Sequence, residues 1–182
     1  MRVVIAPPVP ALLPDYAGRE DPVGPLRAAL NQAVAWLGDG PVRVVAQAPS
    51  EVDRSRGIQQ SLGARIALSL GLTLTDDPSA PLLVFASGSA MRTEKAPGFF
   101  DERAAAFDAQ LDAAIRAGKG LSDLDLALGE QLWAQGLTGL VDLAGAEIDD
   151  VQVDYADAPY GVAYWVARWQ LKAASSPADS GS

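Results

Sequence analysis

Two hydrophobic rhythms alternate along the chain. The runs "RVVIA" at residues 2–6, "VRVVAQA" at 42–48 and "PLLVFAS" at 81–87 are short, rich in β-branched or aliphatic residues, and bounded by proline or polar turns. That pattern predicts three buried strands. Between the first two, Leu26, Leu30, Ala33, Val34 and Leu37 recur at steps of three and four, which predicts a helix starting at Asp21-Pro22 and ending at Gly38 and Gly40. A polar loop with Glu51, Asp53, Arg54 and Arg56 follows the second strand. It leads into a helix expected over 59–70, where Leu62, Ile66 and Leu70 share a face.

The second half repeats the helical rhythm. Phe100, Ala104, Phe107, Leu111 and Ile115 form one apolar stripe, with Asp101, Asp108 and Asp112 expected away from it and Gly118 as the stop. Ser122 and Asp125 have the spacing of a capping box, and a helical region interrupted by Gly136 and Gly139 extends to about Gly145. "DDVQVDYAD" at 149–157 alternates like a half-exposed strand, and "YGVAYWVARWQ" at 160–170 is an aromatic-rich strand. The small polar stretch "AASSPADSGS" from Ala173 is expected to be disordered. No internal repeat is present. The chain therefore predicts one α/β domain over residues 1–172 and a tail over 173–182. Its sheet should be central and mostly parallel (mixed), with helices on both faces, right-handed crossovers, and the last two strands antiparallel at one edge.

Composition narrows the function. Fourteen Lys and Arg stand against 23 Asp and Glu, a net charge of −9. Such a surface repels a phosphate backbone, which excludes general nucleic-acid binding. The one dense positive stretch is Arg54, Arg56 and Arg65. No apolar run reaches the roughly 18 residues of a membrane span. The run Val3 to Ala6 is too short for a signal-peptide core, so a cytoplasmic protein is expected. The chain has no cysteine and no histidine. Disulfides and thiolate metal sites are excluded, and acid–base work would fall to a shifted carboxylate, lysine or tyrosine.

Ligands of open α/β sheets bind beyond the carboxyl ends of the strands. Three segments are expected there: "APPVPALLPDY", "APSEVDRSRG" and "SGSAMRTEKAPG". In the last, small residues admit a partner to the backbone, and the charges of Arg92, Glu94 and Lys95 follow. Ser87, Gly88, Ser89, Arg92 and Lys95 are candidate ligand-binding residues, joined by Tyr160 from the turn after Asp157-Ala158-Pro159. Ser-Gly-Ser is not a G-x-S-x-G elbow and no histidine base exists, so hydrolase chemistry is not expected. No P-loop is present. Asp154 and Asp157, with Asp15, Glu51 or Glu94, are the weak candidates for a hard cation. The aromatics Tyr155, Tyr164, Trp165 and Trp169 read as core and sheet surface.

The stretches "ASGSAMRTEKAPGFFDERAAAFD" and "DAPYGVAYWVARW" resemble a bacterial family grouped with the catalytic subunit of class III extradiol ring-cleavage dioxygenases. The close match covers about the last half of the chain, and "APPVPALLP" looks like a degraded Pro-His-Pro-Pro opening. The resemblance implies the α/β fold of that extradiol dioxygenase subunit, with its site at the strand ends. Active members hold Fe(II) with two histidines and a carboxylate. The two ligand histidines would fall near Pro8 and at Ser50, and the acid–base histidine at Arg92; Asp154 and Asp157 are the acids nearest the glutamate. With no histidine to place, the resemblance implies the fold without its iron chemistry. The expectation is a non-catalytic domain without cofactor, binding a small anionic or polar metabolite near Arg92 and Lys95. The alternatives are a homo-oligomeric structural protein using the aromatic C-terminal strand as its edge, and a divergent enzyme using carboxylates and a hard metal.

Overall fold

Strict alternation makes the first strand the centre of the sheet. In β1 (Arg2–Ala6), Val3 and Ile5 point to one face while Val4 and Ala6 point to the other, and all four are buried. A strand apolar on both sides can only be satisfied with a layer above and a layer below. The computed structural model, which describes residues 1–16, 21 and 23–172, supplies both. The tail from Ala173 and Pro22 of the predicted helix start lie outside the described residues.

The sheet has five strands in the order β2-β3-β1-β5-β4, with β2 at Arg43–Val45, β3 at Leu82–Phe85, β4 at Ile148–Asp157 and β5 at Tyr164–Leu171. β3 lies parallel to both β1 and β2, with Val4 opposite Leu83 and Val44 opposite the same residue. β5 is antiparallel to β1 and to β4. The α/β class and the final antiparallel hairpin expected from the sequence are present, and the sheet is mixed, with as many antiparallel pairings as parallel ones.

One face carries α1 (Gly24–Leu37) and α3 (Leu62–Ser69), packed on Val4, Ala6, Leu83 and Phe85. The other carries α4 (Ala104–Ala117), α5 (Leu126–Gln131) and α6 (Leu137–Val141), packed on Val3, Ile5, Leu82 and Val84. α1 buries Leu26, Leu30, Ala33, Val34 and Leu37, the expected stripe, and stops where Gly38 takes φ 101°. Asp21 fixes its start by accepting the Val23 N–H and the Arg27 Nε–H, at 3.1 and 2.7 Å.

Several boundaries differ from the expectation for local reasons. Residues 51–55 form a short helix, α2 (Glu51–Ser55), because Ser50 and Asp53 make a reciprocal capping box. α3 begins at Leu62, after Ser61 accepts the Ala64 N–H. The cap of α5 is Asp125, accepting the Leu128 N–H, while Ser122 sits in a 3₁₀ turn. Phe100 precedes α4 and is exposed, and Asp108 is buried on it, so the polar face expected for that helix fails at one position. The aromatic strand β5 is interior; β4 is the outer strand, so the expected oligomer edge is misplaced. β4 carries Asp149, Asp150 and Asp157 and two register shifts, features that discourage a further strand from adding.

The β1–β2 connection passes over the face carrying α1 and α3. The β2–β3 connection crosses the same face through α3, and Leu74 forms a parallel bridge with Val42 before the chain returns to β3. The β3–β4 connection passes over the opposite face.

The loop between α5 and α6 is pressed onto the end of β3. Gly136 there takes φ 69°, and a Cβ on it would overlap the Phe85 carbonyl oxygen. Gly136→Ala should cost about 2 kcal/mol or more. Gly145→Ala, with nothing within 4 Å of the added carbon, should be close to neutral. Urea unfolding of the two variants checks the contrast.

Candidate functional site

Because β1, β3 and β2 run parallel, their carboxyl ends share one rim, and the three loops singled out from the sequence all leave from it. They do not enclose one pocket. Pro8, beyond β1, and Pro49 and Ser50, beyond β2, line a single cleft of about 540 Å³ with Gln47, Arg56 and Arg65. The segment beyond β3 turns away. Its place is taken by the α5–α6 loop, where Ser87 and Gln135 exchange backbone hydrogen bonds at 2.9 and 3.3 Å and the Ala90 N–H donates to the Leu132 carbonyl. Gln135 thereby reaches the cleft that residues 87–95 were expected to line.

The Ser-Gly-Ser turn answers to packing. The Gly88 N–H donates to the Ala163 carbonyl at 2.8 Å. A Cβ on Gly88 would stand 2.5 Å from Asp108 Oδ1, 2.8 Å from the Ala163 Cβ and 2.9 Å from the Trp165 ring. Ser87 and Ser89 are buried. Ser89 donates its N–H to Asp108 Oδ1 and its hydroxyl to Asp108 Oδ2, both at 2.7 Å. Asp108 is 2 % exposed. Burial pushes its carboxyl above the ordinary range by more than the Ser89 hydrogen bonds and the Arg92 charge pull it down.

Arg92 extends from this turn into a second cleft of about 390 Å³. It shares that cleft with Asp108, Asp112, Asp157, Arg116 and Trp165, and its Nε lies 3.6 Å from Asp108 Oδ2. Burial raises the Asp112 carboxyl, but the Arg116 hydrogen bond and the Trp165 indole N–H outweigh it, holding the group below its ordinary value. Three carboxylates against two guanidiniums make this cleft a poor host for an anion. Lys95 is exposed and lines neither cleft. Tyr160, 40 % exposed, sits in the turn ending at Gly161 and also lines neither.

A third opening, about 700 Å³, lies between the end of β2 and helices α5 and α6. It shares Ala46 and Gln47 with the rim cleft, but its charged lining is Glu130 and Asp142 alone. Sequence reasoning missed it because its wall is built by helices remote from the strand-end motifs. Arg56 and Arg65 were visible as part of the one dense basic stretch, yet nothing in their spacing signals that two different helical elements bring them to one cleft.

The weak metal candidates are committed elsewhere. Asp154 is paired through both oxygens with Arg168, at 2.7 and 2.8 Å, and the two side chains are 6 % and 12 % exposed. Asp157 accepts the Ala158 N–H. Asp15, Glu51 and Glu94 are exposed, and among the described residues no group of three or more acidic, histidine or cysteine side chains could hold a metal ion. Nor is any helix among those residues long and apolar enough to cross a membrane. No protein-family model matches the chain, and no curated protein matches it.

Two variants test these assignments. Asp154→Ala leaves Arg168, mostly covered and lying over the Trp36 ring, without its carboxylate partner and should cost about 2–4 kcal/mol in urea unfolding, by the same amount with and without added Mg²⁺ or Mn²⁺. For Asp108, the folded state holds the proton more tightly than the unfolded chain. Its contribution is therefore present in full below 3.8, the ordinary value, and is lost as pH rises through the raised folded value. The stability of the wild type relative to Asp108→Asn should accordingly fall as pH rises above 3.8, and a difference flat in pH would contradict the assignment.

Proposed function

We propose that this chain is a relative of the class III extradiol dioxygenase catalytic subunits that has kept the α/β frame and the rim cleft, has lost the iron chemistry, and binds a small polar ligand in that cleft. The observation that carries the reading is the convergence of Pro8 with Pro49 and Ser50 on one cleft. These are the positions at which the resemblance puts the two iron-ligating histidines. A proline ring offers no lone pair, and the Ser50 hydroxyl is occupied, donating to Asp53 Oδ2 at 2.7 Å while accepting the Asp53 N–H. Neither residue can replace an imidazole, and the chain contains no imidazole or thiolate anywhere. Asp154, the acid near the expected glutamate, is held by Arg168.

What remains is a concave site lined by neutral amides, prolines, two arginines and one carboxylate, Asp53, which Ser50 engages. Such a lining orients a ligand through hydrogen bonds and charge. The rim cleft thus takes the binding role, and the acidic Arg92 cleft stabilises the turn after β3.

Full-length protein supplied anaerobically with Fe(II) and then exposed to oxygen should consume none above the buffer rate with catechol or protocatechuate. Ligand-observed NMR with a fragment panel should find binders that the cleft-filling variant Gln60→Trp releases. Iron-dependent oxygen uptake, or fragments bound equally by Gln60→Trp, would overturn the reading.

A further inference from the structure

In a chain with a net charge of −9, a cleft whose own lining carries a surplus of cations stands out. Arg27, Arg92, Arg103, Arg116 and Arg168 each form an ion pair. Arg2 and Arg54 donate to the Trp36 and Pro49 carbonyls, at 2.8 Å each. Arg43, Lys95 and Lys119 also have no carboxylate partner among the described residues but line neither the rim cleft nor the Arg92 cleft. Arg56 and Arg65, which form neither an ion pair nor a side-chain hydrogen bond among the described residues, both line the rim cleft. They reach it from separate elements, Arg56 from the end of α2 and Arg65 from α3.

The carboxylate nearest them does not neutralise them. Asp53 is held by Ser50, whose N–H and hydroxyl both donate to Oδ2, at 3.1 and 2.7 Å. These hydrogen bonds lower its carboxyl most, and Arg56 and Arg65 lower it further through space without closing to ion-pair distance. Among the described residues, two guanidiniums and one carboxylate give the cleft lining a net positive charge. Its other polar side chains include Gln47, Gln60 and Gln135, which carry none, and Leu13 gives it an apolar wall. The Arg92 cleft has the opposite balance.

We propose that the rim cleft binds a small organic oxyanion, a carboxylate or a phosphate ester, with Arg56 and Arg65 as its paired anchors. This rests on the cleft being a ligand site, as proposed above, and specifies the chemical class it accepts. A guanidinium presents its N–H groups as a planar fork that matches two oxygens of a carboxylate or phosphate, so two of them from different elements fix both position and orientation. The amides contact the polar body of the ligand, and Leu13 the carbon frame.

Isothermal titration of the full chain at low salt, with benzoate, phenyl phosphate and neutral benzamide, tests this. One or both anions should bind the wild type at least tenfold more tightly than benzamide. Affinity for the anion should fall at least tenfold in the double variant Arg56→Gln/Arg65→Gln, recover in part in Arg56→Lys/Arg65→Lys, and be lost in Gln60→Trp. Benzamide bound as tightly as benzoate, with the Gln double variant unchanged, would overturn the charge assignment while leaving the cleft a ligand site. Anion binding that survives Gln60→Trp would place the ion outside the cleft and overturn the proposal. Absence of binding by all three probes would overturn the proposal, and failure of the fragment panel as well would remove the underlying reading.

Discussion

A carboxylate removed from water must be satisfied by its neighbours or become protonated, and Asp108 imposes that condition on everything around it. Its two oxygens are taken by the backbone and the hydroxyl of Ser89. To bring Ser89 there, the chain beyond β3 must bend toward β5, with Gly88 passing through a gap too narrow for any side chain. That bend empties the space beside the end of β3, which the α5–α6 loop then fills through Gln135 and Gly136. The Arg92 cleft, with Asp108 in its wall, follows from this anchoring, while the rim cleft draws its charge from Arg56 and Arg65 of α2 and α3.

The parts of the fold legible in the sequence are those governed by periodicity. The four apolar residues after Arg2, the stripe on α1 and the left-handed stop at Gly118 depend on one element and its immediate neighbours. The parts that were not legible depend on partners distant in sequence. Asp108 falls in the same helical rhythm as Asp101 and Asp112, and only the arrival of Ser89, 19 residues earlier, makes its burial tolerable. The interior position of β5 depends on a strand at the other end of the chain. The glycine at 136 reads as a helix interruption, whereas its reason is a carbonyl on β3. For the site, the rule for parallel strands puts Pro8 and Ser50 at the rim, where the structure has them, whereas Arg92 and Lys95, expected beside them, lie outside that cleft.

A strand-end cleft without imidazole is lined by main-chain and amide groups whose protonation does not change near neutral pH. The carboxylate beside Arg56 and Arg65, Asp53, stays ionised over the same range, since Ser50 holds it below the ordinary carboxylate value. The charge pattern of such a cleft is insensitive to modest changes in acidity.

The position of β1 has a consequence for how the molecule assembles. The amino-terminal strand is flanked by residues 82–85 on one side and 164–171 on the other, and the backbone of Leu171 meets that of Met1 across 170 positions of sequence. During vectorial synthesis β1 thus waits for nearly the whole described chain before its second neighbour exists. Loop-closure entropy over such separations slows folding, and until β5 arrives an apolar strand destined for the centre of the sheet stands open along one side.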